Sequence, residues 1–398
     1  MGGVIEESIL LRSDHRLDTR KFSLYRSETD VEETLRQTRQ LINGKLVIDA
    51  VTHGFDARPE LAHEDPGYAY GMMIHDGTFA FQFAVVPDPY RLTRDEYYRR
   101  MTAEALASAL FLESPTDLAW YHTIPAWGIW PDLSPASVGL EIRRRYPSRM
   151  FMYGAVSPLE GTKAIEDLER QVEEWKVTAV KLYPADFIDG KLRPWYMNDE
   201  KLLYPVLERC RALGIRVVAI HKAVPLGDAP TQVFRPDDVD YAARDFPDLN
   251  FEIVHGGFAF LEETAFQIAR FPNIYVNLEA SSGLLLHSPA RFARLIGELL
   301  LWGGAKKIVW GTGASAIHPG PLVNAFDAFA FRDEMLEAQG YPQLTEEIKS
   351  DILALNFIRM HQLDADELMR AIAGDEIARA RVSGPVEPWS ALRAPIAA

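Results

Sequence analysis

The chain has 398 residues, 47% of them hydrophobic, enough for one large core or two ordinary ones. Its single cysteine, Cys210, excludes an internal disulfide and a cysteine-rich zinc module, so a reducing, cytoplasmic setting is the simplest expectation. A formal net charge of −15 argues against a nucleic-acid partner, because phosphate binding needs a basic surface.

Residues 1–44 form an N-terminal extension with a helix-like DVEETLRQTRQLI. The opening MGGVIEESILLRSDHR has no basic segment followed by an apolar core, so no secretory signal is expected. No apolar run reaches the length of a membrane span, and no membrane partner is expected. KLVIDAVTH (45–53) predicts the first strand. An insertion with a helix follows over 54–116; its GYAYGMMIHDGTFAFQFAVVPDPY is aromatic and reads as hairpin-like. Because it leaves the C-terminal end of the first strand, it is placed to roof that face. DLAWYHTIP (117–125) and MFMYGAVSP (150–158) are the next strands. GTKAIEDLERQVEEWK (161–176) has Ile165, Leu168, Val172 and Trp175 at helical spacing. VTAVKLYP (177–184) predicts a strand, and LLYPVLERCRALG (202–214) a helix stopped by Gly214. IRVVAIHKA (215–223), LNFEIVHGG (249–257), NIYVNLEAS (273–281) and KIVWGTGAS (307–315) complete eight strands, with helical patterns between them. Near-continuous apolar strands suit a parallel sheet covered on its outer face. Eight strand–helix units over 45–365 predict a (β/α)8 TIM barrel, with a C-terminal helix and tail over 366–398. A doubly wound open sheet is the runner-up, but no glycine-rich phosphate turn follows the first strand.

Barrel enzymes place their chemistry at the C-terminal ends of strands. Here those ends carry His53, His122, Lys181, His221, His255 and Glu279. Alternation puts Val47, Asp49, Val51 and His53 on one face, and likewise Val217, Ala219 and His221. Phe251, Ile253 and His255 form a third such set, and Tyr275, Asn277 and Glu279 a fourth. Imidazoles and a carboxylate meeting at one mouth suit zinc, iron, manganese or cobalt. A lone histidine at a strand end is more often a hydrogen-bonded structural residue; several on separate units point to a shared ion. Lys181 has three readings: a carbamylated bridge, a cation for a substrate carboxylate, or an ion pair. His318, just past the last strand, is a candidate ligand or substrate contact. His63, His75 and His287 read as surface residues, although His75, in the insertion, is placed to touch a ligand. His15 and His361 read as structural.

VIDAVTH, VKLYP, AIHKA, EIVHGG and VWGTG, in this order, resemble the amidohydrolase-related family of metal-dependent (β/α)8 barrels over about residues 45–365. In that family the first strand reads D-x-H-x-H; Asp49 and His53 match it and Val51 departs. His221 and His255 match the family's histidines of strands five and six. Gly313 stands where the family's water-activating aspartate would be. Glu279 offers another donor, and histidines plus a carboxylate with open positions resemble oxygen-activating non-haem iron sites. The chain is similar to the branch of the family that contains the hydroxylase of 2-aminoisobutyrate, built from two related subunits. That resemblance implies iron or manganese, with zinc as the other option, and dioxygen as co-substrate. It also implies a homologous partner subunit or a homo-oligomer. His53, His221, His255 and Glu279, with His122 next, are the expected ligands of an enzyme hydroxylating a small-molecule substrate. Lys181 and His318 would tune a second metal or orient the substrate. A hydrolase or decarboxylase using another base, such as His318 or Asp76, is the alternative; a non-catalytic partner subunit is the third. Glu113 precedes the second strand and is expected far from the mouth.

Overall fold

The computed structural model describes residues 44–58, 66–130, 132–384 and 386–394. The helix-like part of the extension, His15 and His63 lie outside them. The described strands are β1 (Ile48–Thr52), β2 (Leu118–Tyr121), β3 (Met150–Met152), β4 (Gly154–Ala155), β5 (Ala179–Leu182), β6 (Ala185–Ile188), β7 (Lys191–Pro194), β8 (Val217–His221), β9 (Asn250–Val254), β10 (Ile274–Asn277) and β11 (Ile308–Val309).

Strands β1, β2 and β3 pair in parallel in that order, and β4, β5, β8, β9, β10 and β11 continue the parallel series. One predicted strand is broken at Tyr153, so that β3 pairs with β2 while β4 pairs with β5. The two ends of the sheet meet. Thr52 and Ala314 form a parallel bridge, Gly313 N–H donates to Val51 O at 3.0 Å, and Ser315 N–H donates to His53 O at 3.0 Å. The sheet therefore closes as the (β/α)8 barrel the sequence predicts.

Closure explains why the strands are apolar on both sides. Ala50, Leu118, Tyr153, Ala179, Ala219 and Val254 come from separate strands yet share one buried cluster, which only the barrel axis allows. Val180, Ile220, Ile253 and Val276 pack instead with Leu207, Ala243, Ala265 and Ile296 of the surrounding helices.

The insertion departs from expectation. GYAYGMMIHDGTFAFQFAV is not a hairpin but the body of one helix, Pro66–Val85. The aromatic composition reads as hairpin-like, but the buried positions Gly67, Gly71, His75, Gln82 and Val85 recur at steps that fit a single helical face. Gly71 lets this face approach closely: a Cβ there would sit 2.7 Å from Cε3 of Trp130. The true hairpin is β6–β7, whose Asp189-Gly190 turn has φ of 51° and 67°. Asp-Gly is the usual sequence of such a turn. Past the barrel lie short helices at Ala365–Ile372, Glu376–Arg381 and Ser390–Arg393. Among the described residues no helix is long and apolar enough to cross a membrane.

Candidate active site

His53, His221, His255 and Glu279 line one cavity at the C-terminal ends of β1, β8, β9 and β10. They arrive there by two routes. His221 follows plain alternation: Val217 and Ala219 point into the barrel while Val218 and Ile220 pack on helices. His255 does not. Phe251 and Ile253 face the helices, and Glu252 faces the interior, so His255 begins on the outward parity, contrary to expectation. It reaches the mouth because its φ is +80°, followed by +58° at Gly256 and +73° at Gly257. A left-handed conformation at a side-chain-bearing residue costs about 1–2 kcal/mol. Ala223 and Ala280, just past β8 and β10, adopt it too, at φ of 63° and 59°. The first strand also breaks parity. Its register slips between Asp49 and Thr52, so Val47 packs with the helices and Val51 with the interior.

Hydrogen bonds fix the tautomers, because a carbonyl only accepts. His221 Nε2 lies 2.9 Å from Val224 O and therefore carries a proton. Burial, then the neighbouring His255 and Lys181, hold His221 well below its ordinary pKa, so it is neutral and Nδ1 bears a lone pair. His255 Nε2, 2.7 Å from that Nδ1, must then be the donor. The other nitrogen of His255 is in direct contact with Glu279 Oε2, yet these two buried atoms form no well-directed hydrogen bond. Burial pushes the Glu279 pKa up, but His255, His53 and Lys181 outweigh it and hold the carboxyl below its ordinary value. A carboxylate facing an imidazole lone pair requires a cation, either a second proton on His255 or a metal ion. His53 adds a further donor. Its Nδ1–H donates to His122 O at 2.9 Å, which leaves Nε2 with the lone pair, and burial lowers its pKa to about 4.

Glu279 is seated by its neighbours. Its backbone N–H donates to Asn277 Oδ1 at 2.8 Å, and Asn277 Nδ2 donates to Glu252 Oε1 at 2.5 Å. Glu252 in turn accepts from Tyr153 Oη at 2.8 Å. Gly313 completes the seat. A Cβ there would overlap Glu279 Oε1 and lie 3.1 Å from Cδ, so the carboxylate occupies the space that any side chain at 313 would need.

The other sequence candidates lie elsewhere. His122 is buried behind the cavity, its Nε2–H donating to Ala50 O at 2.9 Å and its ring stacked on Tyr153 at 4.0 Å. Lys181 is buried beneath the mouth without lining the cavity; burial lowers its pKa to about 8 against the pull of Glu279 and Glu252. His318 does not line the cavity. Its Nε2 lies 3.0 Å from Glu113 Oε2 and its Nδ1 accepts from Gly320 N–H at 3.1 Å, while Glu113 also accepts from Trp389 N–H at 2.6 Å. Glu113 is thus the anchor of the C-terminal segment. Asp49 anchors the strand-eight loop, accepting from Thr312 N–H at 3.0 Å and from the Thr312 hydroxyl. Trp310, at the end of the last strand, packs outward on Phe326. His287 is exposed.

The cavity measures about 180 Å³ and its walls are apolar, with Phe55, Ile74, Ile129, Trp130, Tyr183 and Phe234 among them. A dry cavity of ~150 Å³ already admits a benzene ring. The Pro66–Val85 helix forms its roof, contributing Tyr70, Ile74 and His75. Among the described residues no lysine or arginine lines the cavity.

The amidohydrolase family model matches residues 132–362, more than half of the sequence. The chain belongs to the amidohydrolase family. Solved structures share the family fold at low identity. A 2,6-dihydroxybenzoate decarboxylase from Rhizobium superposes with a TM-score of 0.52 at 16% identity, covering 80% of this chain and 99% of its own. A 5-carboxyvanillate decarboxylase from Novosphingobium aromaticivorans, complexed with manganese and a nitrobenzoic acid, gives 0.51 at 14%, covering 80% and 97%. A TIM-barrel protein of Bordetella bronchiseptica gives 0.50 at 17%, covering 82% and 99%. No curated protein matches the sequence.

The fold family implies a divalent metal, and the residues can be tested for it. Among the described residues no three His, Cys, Asp or Glu side chains form a ready-made cage. The 2.7 Å contact between His255 and His221 is a hydrogen bond; two nitrogens held ~2.1 Å from one tetrahedral ion stand farther apart. The donor chemistry nevertheless fits. His53 Nε2, His255 Nδ1 and Glu279 Oε2 combine imidazole lone pairs with a carboxylate; the last two, in direct contact without a directed hydrogen bond, stand closer than two ligands of one ion and would part on binding it. His221 then backs His255, as outer partners of metal-ligating histidines commonly do.

Proposed function

We propose that this amidohydrolase-family chain is a metal-dependent decarboxylase of a small carboxylic acid with an aromatic or comparably apolar body. The observation that carries this reading is the Glu279–His255–His221 chain opening on an apolar cavity of one-ring size. His53, His255 and Glu279 would hold the divalent ion, which when bound supplies charge stabilisation for a substrate oxygen. The manganese of the 5-carboxyvanillate decarboxylase supports that choice of ion.

The protein's own groups do the rest. The roof helix and apolar walls exclude water, which raises the energy of a bound carboxylate relative to neutral carbon dioxide. Phe55 and Tyr183 flank the ring of the acid. When the C–C bond breaks, its electron pair stays on carbon, and that carbon takes up one proton from solvent, because His221 is neutral and the Nε2 proton of His255 is engaged with it. Hydrolysis is less well served, because Gly313 offers no carboxylate and Glu279 is already paired with His255.

A second reading, a small-molecule hydroxylase using iron and dioxygen beside a homologous partner subunit, draws support from the donor set. Two imidazoles and one carboxylate with open positions are the arrangement of oxygen-activating non-haem iron sites. One experiment separates the two. Manganese-loaded protein is given hydroxybenzoic acids anaerobically in deuterated water. Carbon dioxide release with one deuterium at the vacated carbon is expected. No release from any acid, together with oxygen uptake by the iron-loaded protein, would reverse the choice.

A further inference from the structure

The roof helix carries a polar group that the reaction does not use. His75 is 3% exposed and lines the cavity, yet its Nε2 has no hydrogen-bond partner. Aromatic rings surround it: Phe55 at 5.7 Å, Tyr97 at 4.7 Å, Tyr98 at 5.0 Å and Trp130 at 5.9 Å between centroids. A buried polar atom left unpaired is costly, and few native groups are left so without a reason. The Tyr97 backbone hydrogen-bonds the ring, which takes the ring proton and leaves Nε2 as an acceptor. Phe55 stands between the two ends of the cavity, stacked on His53 at 5.1 Å and edge-on to His75.

We infer that His75 is a specificity residue whose Nε2 accepts a hydrogen bond from an O–H or N–H group at the distal end of the substrate. The inference rests on the reading of this cavity as the substrate site. It narrows the class to molecules with a one-ring apolar body, an acidic group facing Glu279 and His255, and an uncharged donor at the opposite end. A cationic end is unsuited, since among the described residues no carboxylate lines the His75 end; a second acid is unsuited because the imidazole there is neutral. Burial, the largest cause, lowers the His75 pKa to about 4, so it offers the same lone pair throughout the neutral range.

The test uses binding without turnover. 4-Ethylphenol and 4-ethyltoluene set a hydroxyl against a methyl of similar size, and each is titrated calorimetrically into the full chain. The phenol-to-toluene affinity ratio is expected to be about fivefold higher in the wild type than in His75→Phe, which keeps a ring in the same space; this is the ~1 kcal/mol of a neutral hydrogen bond. Because the ratio is taken within each variant, a general change in cavity shape cancels; His75→Leu gives a second reading should Phe not be accommodated. A ratio unchanged in the variants would overturn the proposal. Failure of both probes to bind would overturn the cavity assignment with it. Carbon dioxide release on the same preparation reports the reaction separately, so the two failures are distinguishable.

Discussion

Replacing Gly313 with alanine tests whether the Glu279 carboxylate truly fills the space at the end of the last strand. Two costs are expected. Gly313 has φ of +73°, and a β-carbon in that conformation costs about 1–2 kcal/mol. The new methyl would also overlap Glu279 Oε1, forcing the carboxylate away from His255. Separating one partner from a buried ion pair costs roughly 3–5 kcal/mol. Gly340 provides the control: it is left-handed, with φ of 67° and ψ of 25°, and a Cβ there meets nothing within 4 Å. Gly340→Ala should therefore show the backbone cost alone, and Gly313→Ala about 3 kcal/mol more. Urea unfolding followed by circular dichroism measures both. In a Glu279→Ala background the extra loss at 313 should vanish, since the obstructing atoms are gone. Equal losses at 340 and 313, or an excess that survives removal of the Glu279 side chain, would refute the reasoning.

Three further outcomes are expected. Manganese at one hundred times its dissociation constant should stabilise the wild type by about 2.7 kcal/mol, and a chelator should reverse this. Glu279→Ala and His53→Ala should lose the effect, while His318→Ala should keep it; a thermal melt with and without the ion decides. Stability should also fall in acid. Burial holds His53 and His75 at about 4 in the folded chain, against 6.5 as the ordinary value, so the unfolded chain binds protons first as pH drops. The contribution of these two is complete above about 6.5 and is lost between there and 4, so His75→Phe should flatten part of the slope in urea titrations at successive pH values. His318→Ala should free Glu113 and loosen the segment around Trp389 and Ser390, which both donate to that carboxylate. Limited proteolysis should then cut the C-terminal segment faster, with KM for an accepted acid unchanged; slower or equal cleavage would contradict the anchoring role.

The sequence by itself determined the barrel and the strand ends that bear polar groups. Each strand is covered on two sides, so its apolar run is continuous and local, and eight such runs leave few alternatives to a closed parallel sheet. Alternation placed His221 because β8 is regular through its last residue. Where the backbone turns, alternation failed. His255 crosses to the mouth through a left-handed bend, and only the surrounding structure can hold such a residue in that state. The insertion misled for a related reason: its aromatic composition suits a strand as well as a helix, and packing of the Gly71 and His75 face chose the helix. Lys181, Glu252 and Asn277 were visible as residues, but their burial in one polar layer below the mouth comes from strands far apart in sequence. His318 looked like a rim residue until Glu113, 205 positions away, claimed it. Local patterns record which faces are buried, because burial needs only hydrophobicity. Which buried group meets which is decided by long-range closure, and pairing, tautomer and orphaned lone pairs arise only there.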